Sequence, residues 1–153
     1  MMIVPTLFLD FDGVLHPSIC REEDFFCRVP LVEEYLADLD LQVVIASSWR
    51  FHYSKNELLR RLPASLASMV TGVTGEAYVG KYSRWNEIQS YLALRNVGEW
   101  RALDDSRFEF PTDCKELIEC NGSIGVEAHQ LGLVREWCQR NRPGNQMSIK
   151  SHR

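Results

Sequence analysis

Short apolar runs of strand length alternate along the chain with longer stretches whose apolar residues recur at helical spacing. An apolar run of four to eight residues, often β-branched, indicates a buried strand, whereas apolar residues three or four positions apart indicate one face of a helix. The pattern predicts strands at residues 6–10, 42–47, 68–74, 100–105 and 116–120, of which 68–74 is the weakest. It predicts helices at residues 31–39, 54–62, 81–94 and 126–140, with Pro30 and Ser54 at the starts of the first two.

Strand, helix and strand repeated in this order are typical of a parallel sheet covered by helices. With 153 residues, 45% of them hydrophobic, the chain is long enough for one such core and short for two. We therefore predict an α/β fold over residues 1–140: a Rossmann-like parallel sheet of about five strands, with helices on both faces. In such sheets ligands bind at the carboxyl ends of the strands, where we expect the functional site.

Three of the predicted strands end in acidic or hydroxyl side chains. Two acids one residue apart share a face while the chain stays extended, and Gly13 then permits a sharp turn. Neighbouring carboxylates repel each other unless a cation lies between them or one of them is protonated. The polar pairs at the strand ends are Asp10 with Asp12, Ser47 with Ser48, and Asp104 with Asp105.

Four acids in one pocket would form an all-oxygen site suited to Mg²⁺, which usually binds few protein carboxylates alongside a substrate phosphate. Beside the metal, an ionised Asp can attack phosphorus as a nucleophile, while a second Asp donates a proton to the leaving oxygen. A D-x-D sequence alone is more often a turn or a helix cap. Its combination with a second strand ending in serines and a third ending in acids favours catalysis.

These motifs resemble those of the haloacid dehalogenase (HAD) superfamily of phosphotransferases. FLDFDGVL at residues 8–15 resembles the first motif, VVIASS at 43–48 the second and ALDDS at 102–106 the fourth, in the expected order. The segments FLDFDGVLHP, SSWR and ALDDS also resemble small stand-alone HAD domains related to those of Swiss army knife RNA-repair proteins. The resemblance implies a HAD-like catalytic domain.

The same resemblance implies a role for each acid. Asp10 would be the nucleophile and Asp12 the general acid and base. Asp104 would complete a Mg²⁺ site with the Asp10 carboxylate and the Asp12 backbone carbonyl, with Asp105 assisting. An Asp at position 12 fits a phosphatase or phosphomutase, because the dehalogenases of the superfamily lack this acid and its ATPases have Thr there.

Two further roles have two candidates each. The hydroxyl of the second motif, which would bind the phosphoryl group, belongs to Ser47 or Ser48, since neighbouring strand residues face opposite ways. The cation of the third motif, which would hold the phosphoryl group and balance the acids, is Lys81 or Arg84. Both lie at the start of the helix before the fourth strand, and the sequence RWNEI slightly favours Arg84.

HAD enzymes that select small metabolites commonly insert a cap domain that closes over the substrate. Here residues 16–29 are long enough only for a flap, and residues 51–80 only for one helix and an edge strand. We therefore expect no cap domain and an open site, which suits large substrates such as nucleic-acid ends or phosphoproteins. Phe25 and Phe26 of the flap could stack on a base, although a hydrophobic plug is the simpler interpretation.

Two residues of SSWR have both structural and substrate-binding interpretations. Arg50 fits a phosphate contact and a structural ion pair equally well. Trp49 is a core anchor more readily than a platform for base stacking. The four histidines form no ligand cluster, and we assign no chemistry to them or to Cys20 and Cys27.

Charge is distributed unevenly along the chain. The formal net charge is −4, yet residues 139–153 contain four basic residues and no acid, so residues 1–138 carry −8. We predict a disordered basic tail over residues 141–153. The acidic body argues against a broad duplex-binding face, because phosphate contacts need clustered Lys and Arg.

Five cysteines without a C-x-x-C pair, and an amino terminus unlike a signal peptide, indicate reduced thiols in a cytoplasmic protein. No apolar run approaches the ~18 to 20 residues of a membrane helix, so no membrane partner is expected. We predict a Mg²⁺-dependent phosphomonoesterase that forms an aspartyl-phosphate, with RNA or DNA ends as candidate partners. The alternatives are a phosphatase of small nucleotides or sugars, and a non-catalytic phosphate-binding regulatory module.

Overall fold

Five parallel strands form one sheet in the computed structural model, which describes residues 3–142. Their order across the sheet is β3-β2-β1-β4-β5, and each neighbouring pair is parallel. The order reverses direction between β1 and β4, which is the position at which sheets of this type bind ligands. The strands are β1 (Thr6–Leu9), β2 (Gln42–Ile45), β3 (Val70–Val73), β4 (Trp100–Asp104) and β5 (Leu117–Glu119).

Helices cover both faces of the sheet. Because successive strand residues face opposite sides, Leu7 and Leu9 enter a large core with four of the helices, whereas Phe8 enters a smaller core beneath the fifth, α4. The helices are α1 (Val29–Leu36), α2 (Lys55–Leu59), α3 (Ala64–Ala67), α4 (Ser83–Ala93) and α5 (Ala128–Arg140). The predicted α/β architecture is confirmed.

The structure shifts the first predicted helix, 31–39, to Val29–Leu36, and it differs most from the sequence-based boundaries in the region that follows Ser54. Ser54 caps α2 as predicted, and Glu57 completes a reciprocal capping box with it. The helix predicted over residues 54–62 nevertheless ends at Leu59, and a separate helix, α3, follows Pro63. Proline has no backbone N–H and disfavours helical geometry in the residue before it, so one helix cannot run through this position.

The segments in which a cap domain would be inserted are short. Residues 16–28 contain one turn of 3₁₀-helix, Glu22–Asp24, and residues 52–69 contain only α2 and α3. Neither segment forms a separate domain within residues 3–142. In the same range no helix has both the length and the apolar character needed to cross a bilayer. The predicted tail over residues 141–153 lies almost wholly outside the described residues and stays a prediction.

Candidate active site

Three carboxylates meet at the carboxyl ends of β1 and β4. Asp10 follows β1, Asp104 is the last residue of β4, and Asp105 comes next. The two strands are direct neighbours, with Leu9 opposite Leu103, so the acids that follow are brought side by side. One carboxylate oxygen from each of the three lies within 4.8 Å of the others. We name these three residues the acid cluster.

Two glycines leave room for the Asp105 carboxylate. A Cβ atom at Gly13 or at Gly122 would collide with it. Gly13 also adopts a φ of +79°, which residues with a side chain rarely reach. The sharp turn predicted after the first two acids is therefore present, and Gly122, in the loop after β5, also borders the space that Asp105 occupies.

A buried arginine from the first turn of α4 binds two acids of the cluster. The Nη1 atom of Arg84 lies 3.2 Å from Asp10 Oδ1 and 3.2 Å from Asp104 Oδ2. The same nitrogen also donates to the backbone carbonyl of Ala46 at the end of β2. Arg84 thus contacts groups at the ends of three neighbouring strands.

One arginine does not offset the cost of ionising the acid cluster. Burial, reinforced by repulsion from Asp104, raises the pKa of Asp10 well above its ordinary value. Burial raises the pKa of Asp104 to about 6 against the attraction of Arg84, and it also raises the pKa of Asp105. Burial alone would lower the pKa of Arg84, but its attraction to Asp10 and Asp104 raises it instead. Three closely spaced carboxylates that resist ionisation fit a divalent cation with oxygen ligands.

Glu87, one helical turn after Arg84, links two arginines behind the acid cluster. Its Oε1 lies 2.9 Å from Arg50 Nη2 and 3.8 Å from Arg84 Nε. Its Oε2 accepts a hydrogen bond of 3.0 Å from the backbone N–H of Tyr78. The guanidinium of Arg50 also donates to two backbone carbonyls, at 2.8 and 2.9 Å. Arg50 therefore has the structural ion pair that was one of its two predicted roles.

Asp12 lies outside the acid cluster and in a different environment. Its Oδ1 is 2.8 Å from His16 Nε2 and accepts a hydrogen bond of 3.0 Å from Trp49 Nε1. The Asp12 side chain is 45% exposed, whereas that of Asp10 is 7% exposed. Two aspartates separated by one residue thus differ in burial and in partners.

The structure also separates the members of each candidate pair. Ser47 is buried, and its hydroxyl accepts a hydrogen bond of 3.2 Å from the Trp49 backbone N–H, while Ser48 is exposed. Lys81 is exposed, whereas Arg84 is buried and contacts the acids. Of the four candidates, Ser47 and Arg84 are the two that lie in the interior beside the strand ends.

Three residues of this site have contacts that the sequence did not predict. His16 carries no predicted chemistry, Trp49 is predicted only as a core anchor or a base-stacking platform, and Glu87 is not among the predicted site residues. The available signals were spacings: His16 comes four residues after Asp12 across a glycine turn, and Glu87 comes one helical turn after Arg84. Neither spacing is specific enough to indicate a contact by itself.

The flap forms the plug that was the simpler of its two interpretations. Phe25 and Phe26 are half-buried, and their ring centroids lie 5.5 and 5.3 Å from that of Trp49. The His16 ring packs against both phenyl rings and Trp49, with its centroid 5.8 Å from the indole. The flap is therefore attached to the side of the site that contains Asp12.

A known protein family matches most of the chain, including the site. The model of the HAD domain in Swiss Army Knife RNA repair proteins matches residues 6–131, from β1 into α5. The matched range contains every residue of the site described above. Comparisons with curated proteins and with solved structures gave no match. The match spans well over half of the chain, which therefore belongs to the family of HAD domains found in Swiss Army Knife RNA repair proteins.

Proposed function

We propose that this domain is a Mg²⁺-dependent phosphomonoesterase that uses Asp10 as its nucleophile. Membership of the HAD family supports a phosphatase-type hydrolase in general. The observation that carries the finer proposal is the acid cluster, in which acids from two neighbouring strands surround one buried arginine. Such a cluster can hold a divalent cation and still present a carboxylate to phosphorus.

In the proposed reaction a carboxylate oxygen of Asp10 attacks phosphorus, and the bond between phosphorus and the leaving oxygen breaks. Asp12 donates a proton to that oxygen, then takes one from the water that hydrolyses the aspartyl-phosphate and releases phosphate. The carboxylates of Asp10, Asp104 and Asp105 and the backbone carbonyl of Asp12 would hold Mg²⁺. When bound, the ion neutralises the acids and the phosphoryl oxygens.

We assign the two remaining roles by burial and contact. Arg84 is proposed as the cation that holds the transferred phosphoryl group, because it already lies between Asp10 and Asp104. Ser47 is proposed as the hydroxyl that binds the same group, because it is buried at the end of β2. Lys81 and Ser48 are exposed, and we expect their replacement to have little effect on turnover.

The mechanism is tested with p-nitrophenyl phosphate and Mg²⁺. Asp10→Asn should remove essentially all turnover, because enhancement of phosphate-monoester hydrolysis reaches ~10²¹-fold. Asp113→Asn, which alters an exposed acid, is the matched control and should keep wild-type activity. Full activity in Asp10→Asn, or undiminished activity in excess EDTA, would refute the mechanism. Binding of Mg²⁺ with beryllium fluoride but no turnover would indicate the non-catalytic phosphate-binding module instead.

For the substrate we propose a single-stranded nucleic-acid end carrying a terminal phosphate. A surface that we name the strand face extends from the site. The Trp49 indole donates a hydrogen bond to Asp12, and the Tyr53 ring stacks on Trp49 with the centroids 5.4 Å apart. The Arg61 guanidinium lies 5.5 Å from the Trp49 centroid and 4.8 Å from the Tyr53 centroid. Next to Tyr53, the exposed residues Phe51 and Lys55 line one groove with it.

The charge of the strand face differs from that of the surrounding body. Residues 49–61 contain three exposed basic residues and one acid, besides Arg50, which is paired with Glu87; residues 1–138 carry −8 overall. Aromatic rings interleaved with cations are the features by which proteins bind single strands, through base stacking and phosphate contacts. The strand face therefore offers the remote contacts that an uncapped site lacks for a small sugar phosphate.

The substrate is tested by comparing kcat/KM on a 3′-phosphorylated oligonucleotide, glucose 6-phosphate and free mononucleotides at low salt. We expect the oligonucleotide to be preferred and the preference to weaken as salt is added. Lys55→Glu should lower kcat/KM on the oligonucleotide by about tenfold, or ~1.4 kcal/mol, and leave p-nitrophenyl phosphate hydrolysis unchanged.

The control is Lys115→Glu, which reverses the charge of another exposed lysine. Lys115 lies two residues before β5, at the amino ends of the strands and away from the site at their carboxyl ends. It should affect neither substrate. If a sugar phosphate or mononucleotide is turned over more than about tenfold better than the oligonucleotide, the protein is a small-metabolite phosphatase instead.

The cytoplasm remains the proposed location, since the five cysteines are unpaired.

A further inference from the structure

We propose that His16 and Trp49 are positioning residues that fix the Asp12 carboxylate so that its Oδ2 alone exchanges protons with the substrate, a role that rests on the proposed phosphatase function. Both residues contact the same oxygen, Oδ1, at 2.8 and 3.0 Å. They come from different parts of the fold, His16 from the loop after β1 and Trp49 from the 3₁₀ turn after β2. The carboxylate is therefore held from two sides.

The direction of the His16 hydrogen bond follows from its other ring nitrogen. Nδ1 lies 3.1 Å from the backbone N–H of Phe26, which can only donate. Nδ1 must therefore carry a lone pair, and the proton of the neutral ring is placed on Nε2. Nε2 then donates to Asp12 Oδ1. The hydrogen bond from the flap backbone thus fixes the orientation of the imidazole, and the imidazole fixes that of the carboxylate.

The His16 ring is enclosed. It is completely buried, and its centroid lies 4.9 Å from that of Phe25, 5.2 Å from Phe26 and 5.8 Å from Trp49. Hydrogen bonds in a dry, aromatic surrounding are stronger than those exposed to water, and the packed ring has little freedom to rotate. The aromatic plug thus maintains one orientation of the imidazole.

Two donors on one oxygen of Asp12 distinguish that oxygen from the other. An oxygen that already accepts two N–H groups is a poor site for a proton, so a protonated Asp12 carries its proton on Oδ2. Oδ2 makes no hydrogen bond within the described residues that would compete with a leaving group. Without the two donors, a 45% exposed side chain on a loop would be free to rotate away from the leaving oxygen.

If His16 and Trp49 position Asp12, their replacement should change the kinetics in a way that a simple loss of packing would not. Asp12 matters most when the leaving group is a poor one, because an alkoxide needs a proton and p-nitrophenolate does not. Misplacing Asp12 should therefore lower kcat on an alkyl phosphate while changing KM little. A purely structural role would instead lower activity on both substrates together, along with thermal stability.

Two replacements of His16 separate its two hydrogen bonds. His16→Gln places an amide nitrogen where Nε2 was and keeps a donor for Asp12. His16→Asn places an amide oxygen where Nδ1 was, which keeps the acceptor for Phe26 but no longer reaches Asp12. Trp49→Phe keeps an aromatic ring and removes only the N–H donor.

We expect His16→Asn and Trp49→Phe to lower kcat on a simple alkyl phosphate by roughly ten- to a hundredfold, with a much smaller loss on p-nitrophenyl phosphate. His16→Gln should stay within about threefold of the wild type on both substrates, since its donor is retained. Equal losses in His16→Asn and His16→Gln, or equal losses on both substrates, would show that His16 acts by packing alone and would overturn the proposal.

A measurement without turnover tests the hydrogen bonds themselves. In ¹⁵N NMR of the histidine side chains, His16 should show the tautomer protonated on Nε2, and Asp12→Ala should shift its Nε2–H signal and the Trp49 indole N–H signal. A proton on Nδ1, or signals that do not respond to Asp12→Ala, would overturn the proposal. If these signals are as expected and the wild type hydrolyses no phosphomonoester, the positioning of Asp12 is supported and the phosphatase function is rejected.

Discussion

Raising the pH should destabilise the metal-free domain, because the buried acids of the cluster resist ionisation. Asp104 is 2% exposed, and burial raises its pKa from 3.8 to about 6 despite the attraction of Arg84. Between these two values the folded state binds more protons than the unfolded state. The free energy of unfolding therefore contains a contribution that falls as the pH rises through this window.

The size of this contribution follows from the shift in pKa. A change from 3.8 to about 6 corresponds to ~3 kcal/mol. That contribution should be lost between about pH 4 and pH 6.5, and the raised pKa of Asp10 acts in the same direction. Because single domains are stable by about 5–15 kcal/mol, a loss of this size is easily measured.

Urea unfolding followed by circular dichroism, in EDTA from pH 4 to pH 7, measures the effect. Asp104→Asn removes the titrating group together with its repulsion of Asp10, and it is the reference because acids remote from the cluster contribute equally to both proteins. Asp38, whose pKa is lowered by its hydrogen bonds to Arg135, is one of these remote acids. We expect similar stability at pH 4 and an advantage of up to ~3 kcal/mol for the variant at pH 7.

Magnesium should narrow the difference, or cancel it. A hundredfold excess of Mg²⁺ over its dissociation constant adds ~2.7 kcal/mol to a protein that binds it only when folded. The wild type should gain this stability at pH 7, and Asp104→Asn should gain less, because it lacks one of the proposed ligands. A difference between the two proteins that is the same at pH 4 and pH 7 would refute the reasoning.

Three further predictions concern the site. Arg84→Met should lower the free energy of unfolding in urea by about 3–5 kcal/mol and abolish turnover, because it leaves buried acids unpaired. Lys81→Met, which alters an exposed residue, should change neither. Asp12→Asn should lose more rate on a nucleoside phosphate than on p-nitrophenyl phosphate, and equal losses would indicate a structural role. Gly122→Ala should weaken Mg²⁺ binding in calorimetric titration, because its Cβ displaces a carboxylate, whereas Gly132→Ala, where a Cβ meets open space, should not.

The sequence alone determined the fold class and the edge of the sheet at which the candidate site lies. Strands and helices follow from hydrophobic periodicity, which is local, and the Ser54 cap of α2 follows from a single residue and its neighbours. The alternation of strands and helices then implies a parallel sheet whose carboxyl ends share one edge. For this reason Asp10 and Asp104 could be expected in one crevice before any contact between them was known.

The tertiary structure decided which side chains meet at that edge. It buried Ser47 and Arg84 rather than Ser48 and Lys81, and it placed the indole of Trp49 on a carboxylate 37 residues away in the sequence. Hydrophobic periodicity specifies which face of an element is buried, but not which group of another element lies opposite. Such contacts depend on strand order, register and the path of loops, which are fixed only when the whole core packs.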